Sequence, residues 1–319
     1  MSDLPVDRTS TEPPFTYVGL DVFGPWTVTA RKTRGGHAEN KRWAVLFTCL
    51  SVRAIHIEAI ESMDASSFIN ALRRFLAIRG PVKQIRSDCG TNFIGACREL
   101  QIDSKPVQDY LARNGCTWIF NPPHASHMGG SWERMIGITR KILDCMLMDS
   151  NFSRLTHETL TTFLAEVSAI VNSRPLVPVS MDPESPAILT PATLLTQKFG
   201  SVPNPPEESS SSNIYLKQWK HVQHLANCFW SRWKKEYLTL LQARRKWQQV
   251  KPNLQIGDLV LMKDQNVERN SWPMGLISKV FISEDGKVRK VEVTIAKQGH
   301  PKSFIRPASE IVLLLPVEE

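Results

Sequence analysis

Three β-rich stretches arrive before any helix does, and only three residues join the last two. Phe15–Phe23 (FTYVGLDVF), Arg42–Leu50 (RWAVLFTCL) and Ala54–Ile60 (AIHIEAI) are dense in Val, Ile and aromatics, side chains that suit a pleated, half-buried surface. Ser51-Val52-Arg53 can only turn the chain back on itself, and the polar stretch around Gly35-Gly36 lets the first two segments pair in the same way. The chain is thereby committed to an antiparallel meander of three strands, which excludes a helical bundle and a purely parallel sheet.

Helices are then added to that meander. Asp64 caps a helix whose Phe68, Leu72, Phe75 and Leu76 share one face, and Gly80-Pro81 stops it. Val82–Arg86 reads as a short strand, Phe93–Leu100 and Val107–Asn114 as helical, and Thr117–Phe120 as another strand. Helices come next at Gly130–Met148 and Thr156–Asn172, and Thr190-Pro191 opens a short one. This is an α/β order similar to RNase H-like domains, with an expected mixed five-stranded sheet. SVPNPPEESSSSN (201–213) buries almost nothing and reads as a linker. A long amphipathic helix, Tyr215–Gln249, succeeds it. Then come strands at Leu259–Lys263, Met274–Ile282, Val288–Ala296 and Ser303–Leu315, enough for a small β-barrel. The expected organisation is an α/β domain over 12–200, the linker, a basic helix over 214–250 and a barrel over 251–316.

Charge divides along the same line. Residues 213–319 hold 18 Lys and Arg against 10 Asp and Glu, whereas residues 1–212 hold 21 of each, so the formal +8 belongs to the last third. Trp219, Trp230, Trp233, Trp247 and Trp272 lie in that third. Cations interleaved with aromatics suit a polyanion with stackable bases; a solvated helix face over a Trp-rich core gives the same pattern. The six cysteines stand singly, with no Cys-x-x-Cys pair to suggest zinc or redox work. No stretch approaches the roughly 20 apolar residues of a membrane span, and the N-terminus lacks a secretory apolar run. No membrane partner is expected, and the chain is expected inside the cell.

Three acids stand where an apolar element meets a loop. Asp21 lies in the first strand, inside GLDVFGP, on the face of Tyr17 and Gly19; Asp88 ends the fourth, before Cys-Gly-Thr-Asn-Phe; Glu133 opens a helix after GGSW. On that helix Trp132, Met135, Ile136, Ile142, Leu143 and Met146 form the apolar stripe, while Glu133, Gly137, Arg140 and Lys141 share another face. A carboxylate, a gap and two cations suit a nucleic-acid backbone approaching a metal. Mg²⁺ prefers hard oxygen ligands and keeps several waters, so two or three carboxylates can hold it while phosphate completes its shell. Each acid alone has an ordinary reading as a turn residue, a cap or a partner for the helix dipole. His124 and His127 have no third metal ligand nearby, His221 and His224 fit a surface helix, and Arg244-Arg245-Lys246 is too short to decide nuclear import.

VGLDVFGPW, IRSDCGTNF and FNPPHASHMGGSWERMIG, in that order, resemble the core of integrases from the BEL/Pao group of long-terminal-repeat retrotransposons. RAIHIEAIESMDASSFINALRRFLAIRG, VNSRPLVPVS, LTPATLLTQK and GDLVLMKD extend the resemblance from Pro13 to Leu315. It implies a triad of Asp21, Asp88 and Glu133 binding Mg²⁺ or Mn²⁺. It also implies trimming of element DNA 3′ ends and their joining to target DNA without a covalent enzyme intermediate. Double-stranded DNA and further copies of the chain are the implied partners, and the nucleus is the implied place of action on chromosomal DNA, with the cytoplasm otherwise. Asn121, His124 and Ser126 are implied to lie beside the active site and, with Arg140 and Lys141, are candidate DNA contacts. Two departures stand out. Forty-four residues separate Asp88 from Glu133, more than in the retroviral pattern. Only Met1–Pro14 precede the first strand, where the group carries a zinc-binding His/Cys module, so a fragment, a truncated copy or a domesticated, non-catalytic DNA-binding descendant is the alternative expectation.

Overall fold

The computed structural model describes residues 6–29, 39–87, 109, 113, 115–120, 133–148, 155–178, 188–198, 218–241, 253–264, 267–297 and 300–317. The chain divides into two compact units: Met1–Asn172 with Glu208–Trp233, and Ser173–Glu207 with Lys234–Glu319.

In the first unit, α1 (Val6–Thr9) precedes β1 (Tyr17–Thr29), β2 (Glu39–Cys49) and β3 (Ile55–Ile60). After these come α2 (Ala65–Arg79), β4 (Gln84–Ser87), β5 (Thr117–Phe120), α3 (Glu133–Leu147) and α4 (His157–Asn172). The strands form one mixed sheet in the order β3-β2-β1-β4-β5. The expected meander is present, with β1–β2 and β2–β3 antiparallel, and β4 and β5 join it in parallel. Ala44 through Cys49 are all buried, so both faces of the sheet are covered there. Phe75 of α2 stacks on Phe47 of β2 at 4.0 Å and meets Phe15 edge-on at 5.4 Å. Asn172, at the end of α4, pairs with the backbone of β3 as a strand residue would: its side chain accepts from the Ile55 amide and donates to the Ile55 carbonyl, both at 2.8 Å.

β1 runs six residues beyond the expected end at Phe23. Gly24-Pro25 looks like a strand breaker, but a bulge between Phe23 and Trp26 absorbs it and pairing with β2 resumes. Gly24 has φ +114°, and a Cβ there would lie 3.1 Å from the Arg42 carbonyl oxygen, so only glycine fits this bend. Of the helices expected over 93–100 and 107–114, only Asp109 and Arg113 fall among the described residues, and the linker 201–213 and Trp247 lie outside them.

Helix α6 (Gln218–Leu241), preceded in the chain by the short α5 (Pro191–Thr196), is described over a shorter span than the expected Tyr215–Gln249, whose remainder lies outside the described residues. Val222, Leu225, Ala226, Phe229, Trp230 and Trp233 recur at helical spacing and are buried. Trp230 and Trp233 are therefore core residues rather than base-stacking platforms, whereas Trp219 is 55% exposed.

The second unit holds a two-stranded ribbon, β6 (Val177–Pro178) with β7 (Ile188–Leu189), and a five-stranded antiparallel sheet. Its strands are β8 (Leu259–Met262), β9 (Met274–Ile282), β10 (Val288–Lys297), β11 (His300–Pro307) and β12 (Ile311–Leu315). The expected last strand, Ser303–Leu315, is two strands: Pro307 has no amide to continue the ladder, and a 3-10 turn at Ala308–Glu310 separates them. The order β11-β10-β9-β8-β12 leaves β11 and β12 at opposite edges, so the expected barrel appears among the described residues as a sheet, without closure. Val260, Met262, Ile277, Val291, Val293 and Ile311 fill its apolar face. No described helix is long and apolar enough to cross a membrane.

Candidate active site

Asp21 lies within the central strand of the first sheet, opposite Leu46 of β2. On its other side β1 pairs in parallel with β4, and among the described residues the register runs from Tyr17 and Gln84 to Leu20 and Ser87. In sequence Asp21 follows Leu20 and Asp88 follows Ser87, and Asp88 itself lies outside the described residues. The residue before Asp88 in sequence is fastened: Ser87 is 2% exposed and its hydroxyl accepts from Trp118 Nε1 of β5 at 2.9 Å. Trp118 in turn stacks on Phe68 of α2.

Glu133 is the first residue of α3. The apolar stripe is as expected where it is described, with Ile136, Ile142, Leu143 and Met146 all buried. On the other face Gly137 opens onto empty space, and Arg140 and Lys141 are exposed. Arg140 Nη1 reaches to 3.9 Å from Asp21 Oδ2, and its Nε lies 3.6 Å from Asp144 Oδ2. Seven residues make nearly two full helical turns, so the Glu133 position lies within about 20° of Arg140 around the helix axis. The structure thus brings Asp21 together with the helix that Glu133 opens. The Glu133 side chain, Asn121, His124, Ser126 and His127 lie outside the described residues.

Asp21 presents hard oxygen donors on a side chain that is 14% exposed, with Oδ1 already accepting the Val22 amide at 2.8 Å. That chemistry fits Mg²⁺ or Mn²⁺ and does not fit a soft, thiolate-seeking metal. No group of three His, Cys, Asp or Glu side chains forms a metal cluster among the described residues, which do not include Asp88.

Two residues of this site are invisible to motif reading. Asp144 is four residues beyond Arg140, and Trp26 Nε1 donates to its Oδ1 at 3.1 Å. The i,i+4 spacing of Arg140 and Asp144 is readable in the sequence, but the bulge that aims Trp26 is not.

Residues 217–314 match a family model described as a family of unknown function, DUF5641. No curated protein sequence matches the chain. Among solved structures it is similar to a chain of the simian T-cell lymphotropic virus intasome in complex with the PP2A regulatory subunit B56 gamma. That match has 11% identity and a TM-score of 0.38, covering 97% of this chain and 85% of the other. It is also similar to the HTLV-2 integrase catalytic core domain in complex with magnesium, in dimeric form, at 15% identity and a TM-score of 0.34, over 53% of this chain and 92% of that one. Likeness at this level is too low to transfer either protein's properties.

Two further charged groupings stand out among the described residues. On β3 and α2, Glu58 receives His56 Nε2 at 2.7 Å and Arg74 Nε at 2.6 Å. Burial alone would push its carboxyl up, but the hydrogen bonds and charges of His56 and Arg74 outweigh it and hold the carboxyl below its ordinary value. In the second unit, the face of β9–β10 opposite Val291 and Val293 carries Lys279, Phe281 and Lys290. Both ammonium groups lie over the Phe281 ring, at 5.3 and 5.0 Å. Beside them Thr294 and Ser303 hydrogen-bond across the strands at 3.0 Å.

Proposed function

We propose that this chain is a retrotransposon-type integrase of BEL/Pao character, a metal-dependent polynucleotidyl transferase that trims element DNA 3′ ends and joins them to target DNA. The observation that carries the reading is the register at the first sheet's central strands. Leu20 and Ser87 are paired, Asp21 and Asp88 are the residues that follow them in sequence, and the helix opened by Glu133 reaches Asp21 through Arg140. The three sequence motifs in their order supply the rest of the support.

In this reading Asp21, Asp88 and Glu133 hold Mg²⁺ or Mn²⁺. When bound, the metal supplies activation of the attacking oxygen and neutralisation of charge at the phosphate. The chain's other residues bind and orient. Arg140 and Lys141, on the face of Glu133, take phosphate oxygens and fix position without reading bases. Asn121, His124 and Ser126 contact the DNA beside the reacting ends. In trimming, a water oxygen attacks phosphorus and the bond to the 3′ oxygen breaks, leaving a free 3′-hydroxyl. In joining, that hydroxyl attacks a target phosphodiester and displaces the target's own 3′ oxygen, so no enzyme–DNA bond forms. The cationic face of the second sheet adds affinity for the DNA backbone. The protein acts as a homo-multimer on double-stranded DNA, in the nucleus when the target is chromosomal.

Purified chain with Mg²⁺ and a duplex carrying the element's ends should nick and join DNA, and Asp88→Asn should abolish both while leaving the fold intact. Equal activity in the two proteins would overturn the metal assignment. DNA binding that falls steeply with salt, with no metal-dependent cleavage, would identify a non-catalytic, domesticated or decaying DNA- or chromatin-binding remnant instead.

A further inference from the structure

Alternation along a strand would place Trp26, five residues from Asp21, on the opposite side of the sheet. The bulge changes this. Asp21, Phe23 and Trp26 pair with Leu46, Ala44 and Arg42 of β2, alternate residues of one regular strand, so all three side chains share a face. That is the face against which α3 lies. Trp26 is 2% exposed and its indole meets Phe23 edge-on at 5.5 Å, so the Nε1–H that it donates to Asp144 comes from a fixed position. Asp144 therefore has one oxygen tied to buried indole and the other turned toward Arg140. Arg140 stands between two carboxylates at 3.9 and 3.6 Å, both beyond ordinary hydrogen-bond length, with its side chain 45% exposed. It is shared between them and committed to neither.

We propose that Asp144, fastened by Trp26, is a positioning residue that draws Arg140 away from Asp21 when a divalent cation binds there. The inference rests on Asp21 being a metal ligand, as the proposed function has it. A guanidinium and a divalent cation are like charges competing for one carboxylate, so Arg140 beside Asp21 opposes loading. Asp144 provides a second negative charge one helical turn along the same face. The guanidinium can move there without going fully into water, and it stays on the side of α3 that meets DNA. Metal loading and placement of a phosphate-binding cation are thus linked through one side chain.

The test is Mn²⁺ affinity of the full chain without DNA, measured by calorimetry. Asp144→Asn keeps an acceptor for Trp26 but removes the charge that holds Arg140; affinity should fall by about three- to fivefold, the scale of a half-exposed ion pair. Arg140→Gln should raise affinity, and in that background Asp144→Asn should change little. A merely structural role would lower affinity in both single variants and act equally in either background. Wild-type affinity in Asp144→Asn, or an equal loss with and without Arg140, overturns the proposal while leaving the metal site standing. Loss of Mn²⁺ binding in Asp21→Asn supports the underlying reading; undiminished binding there overturns both.

Discussion

The two sheets solve opposite problems. The first is buried on both sides along β2, and its candidate site lies within β1 and against α3, at Asp21 and its charged neighbours. The second buries one side around Val291 and Val293 and turns the other, with Lys279, Phe281 and Lys290, to solvent. A carboxylate that must hold a metal benefits from a rigid, mostly covered setting, where its position is fixed before the ligand arrives. A surface that grips a polyanion benefits from cations left in water, because its binding comes from releasing counterions rather than from exact placement. The net positive charge of the last third of the chain agrees with that division.

The sharpest way to break this division is to neutralise one charge in each region. Asp21→Asn should reduce strand transfer by at least about a thousandfold, equivalent to about 4 kcal/mol of barrier, with duplex binding in the absence of metal little changed. Lys290→Ala should leave the rate per bound duplex as it was. Single-turnover rates at saturating DNA check both; a comparable rate loss from each would mean that the regions do not divide the work.

Legibility obeys the same division. The strands of the first sheet, Asp64 as a cap and the stripe on α3 are readable because periodicity and caps are local signals. The continuation of β1 past Gly24-Pro25 is not, because two breakers in a row look like an end and only pairing with β2 overrules them. Asp21 and Glu133 are picked out as candidates by flanking motifs, but the contact of Trp26 with Asp144 is not, since it depends on a bulge that reverses the alternation. In the last third of the chain the charge balance suits a polyanion surface, yet the tryptophans of that third are partly core. Trp230 and Trp233 are buried, and among the described residues of this third the cations lie over Trp219, Phe281 and Phe304.

The two sheets should also differ in what the loss of an apolar side chain costs. Phe75 is fully buried between α2 and the first sheet, so Phe75→Ala should cost about 3–5 kcal/mol through lost burial and the cavity left behind. Ile305, paired with Glu292 on the outer face of the second sheet, is 49% exposed; Ile305→Ser should stay within about 0.5 kcal/mol. Denaturant midpoints at constant m-value decide, and a large loss at Ile305 would mean that its face is covered.

A smaller effect is confined to acid pH. The carboxyl of Glu58 is held below its ordinary value of 4.5, so the unfolded chain takes up the proton more readily than the folded one. The contribution is therefore fully present above pH 4.5 and lost as pH falls through the lower folded value. Glu58→Gln should cost about 1–2 kcal/mol at neutral pH, and the gap from wild type should close as the solution is acidified. A gap constant with pH would show that His56 and Arg74 hold the side chain by shape rather than by charge.

The finest distinction concerns what the outer face of the second sheet does with its aromatic ring. Both lysines lie over Phe281, and a cation–π contact orients an ammonium group without neutralising it, so each can still displace a counterion from DNA. Lys279→Ala and Lys290→Ala should each reduce the slope of log affinity against log salt by about 0.9, the value for one phosphate contact. Phe281→Leu keeps both charges while removing the ring. If the ring only arranges the lysines, affinity should fall slightly with the slope unchanged. If bases stack on it, the loss should be larger on single strands than on duplex. Unchanged slopes in both lysine variants would remove this face from the DNA path and leave the basic charge of the last third to be spent elsewhere.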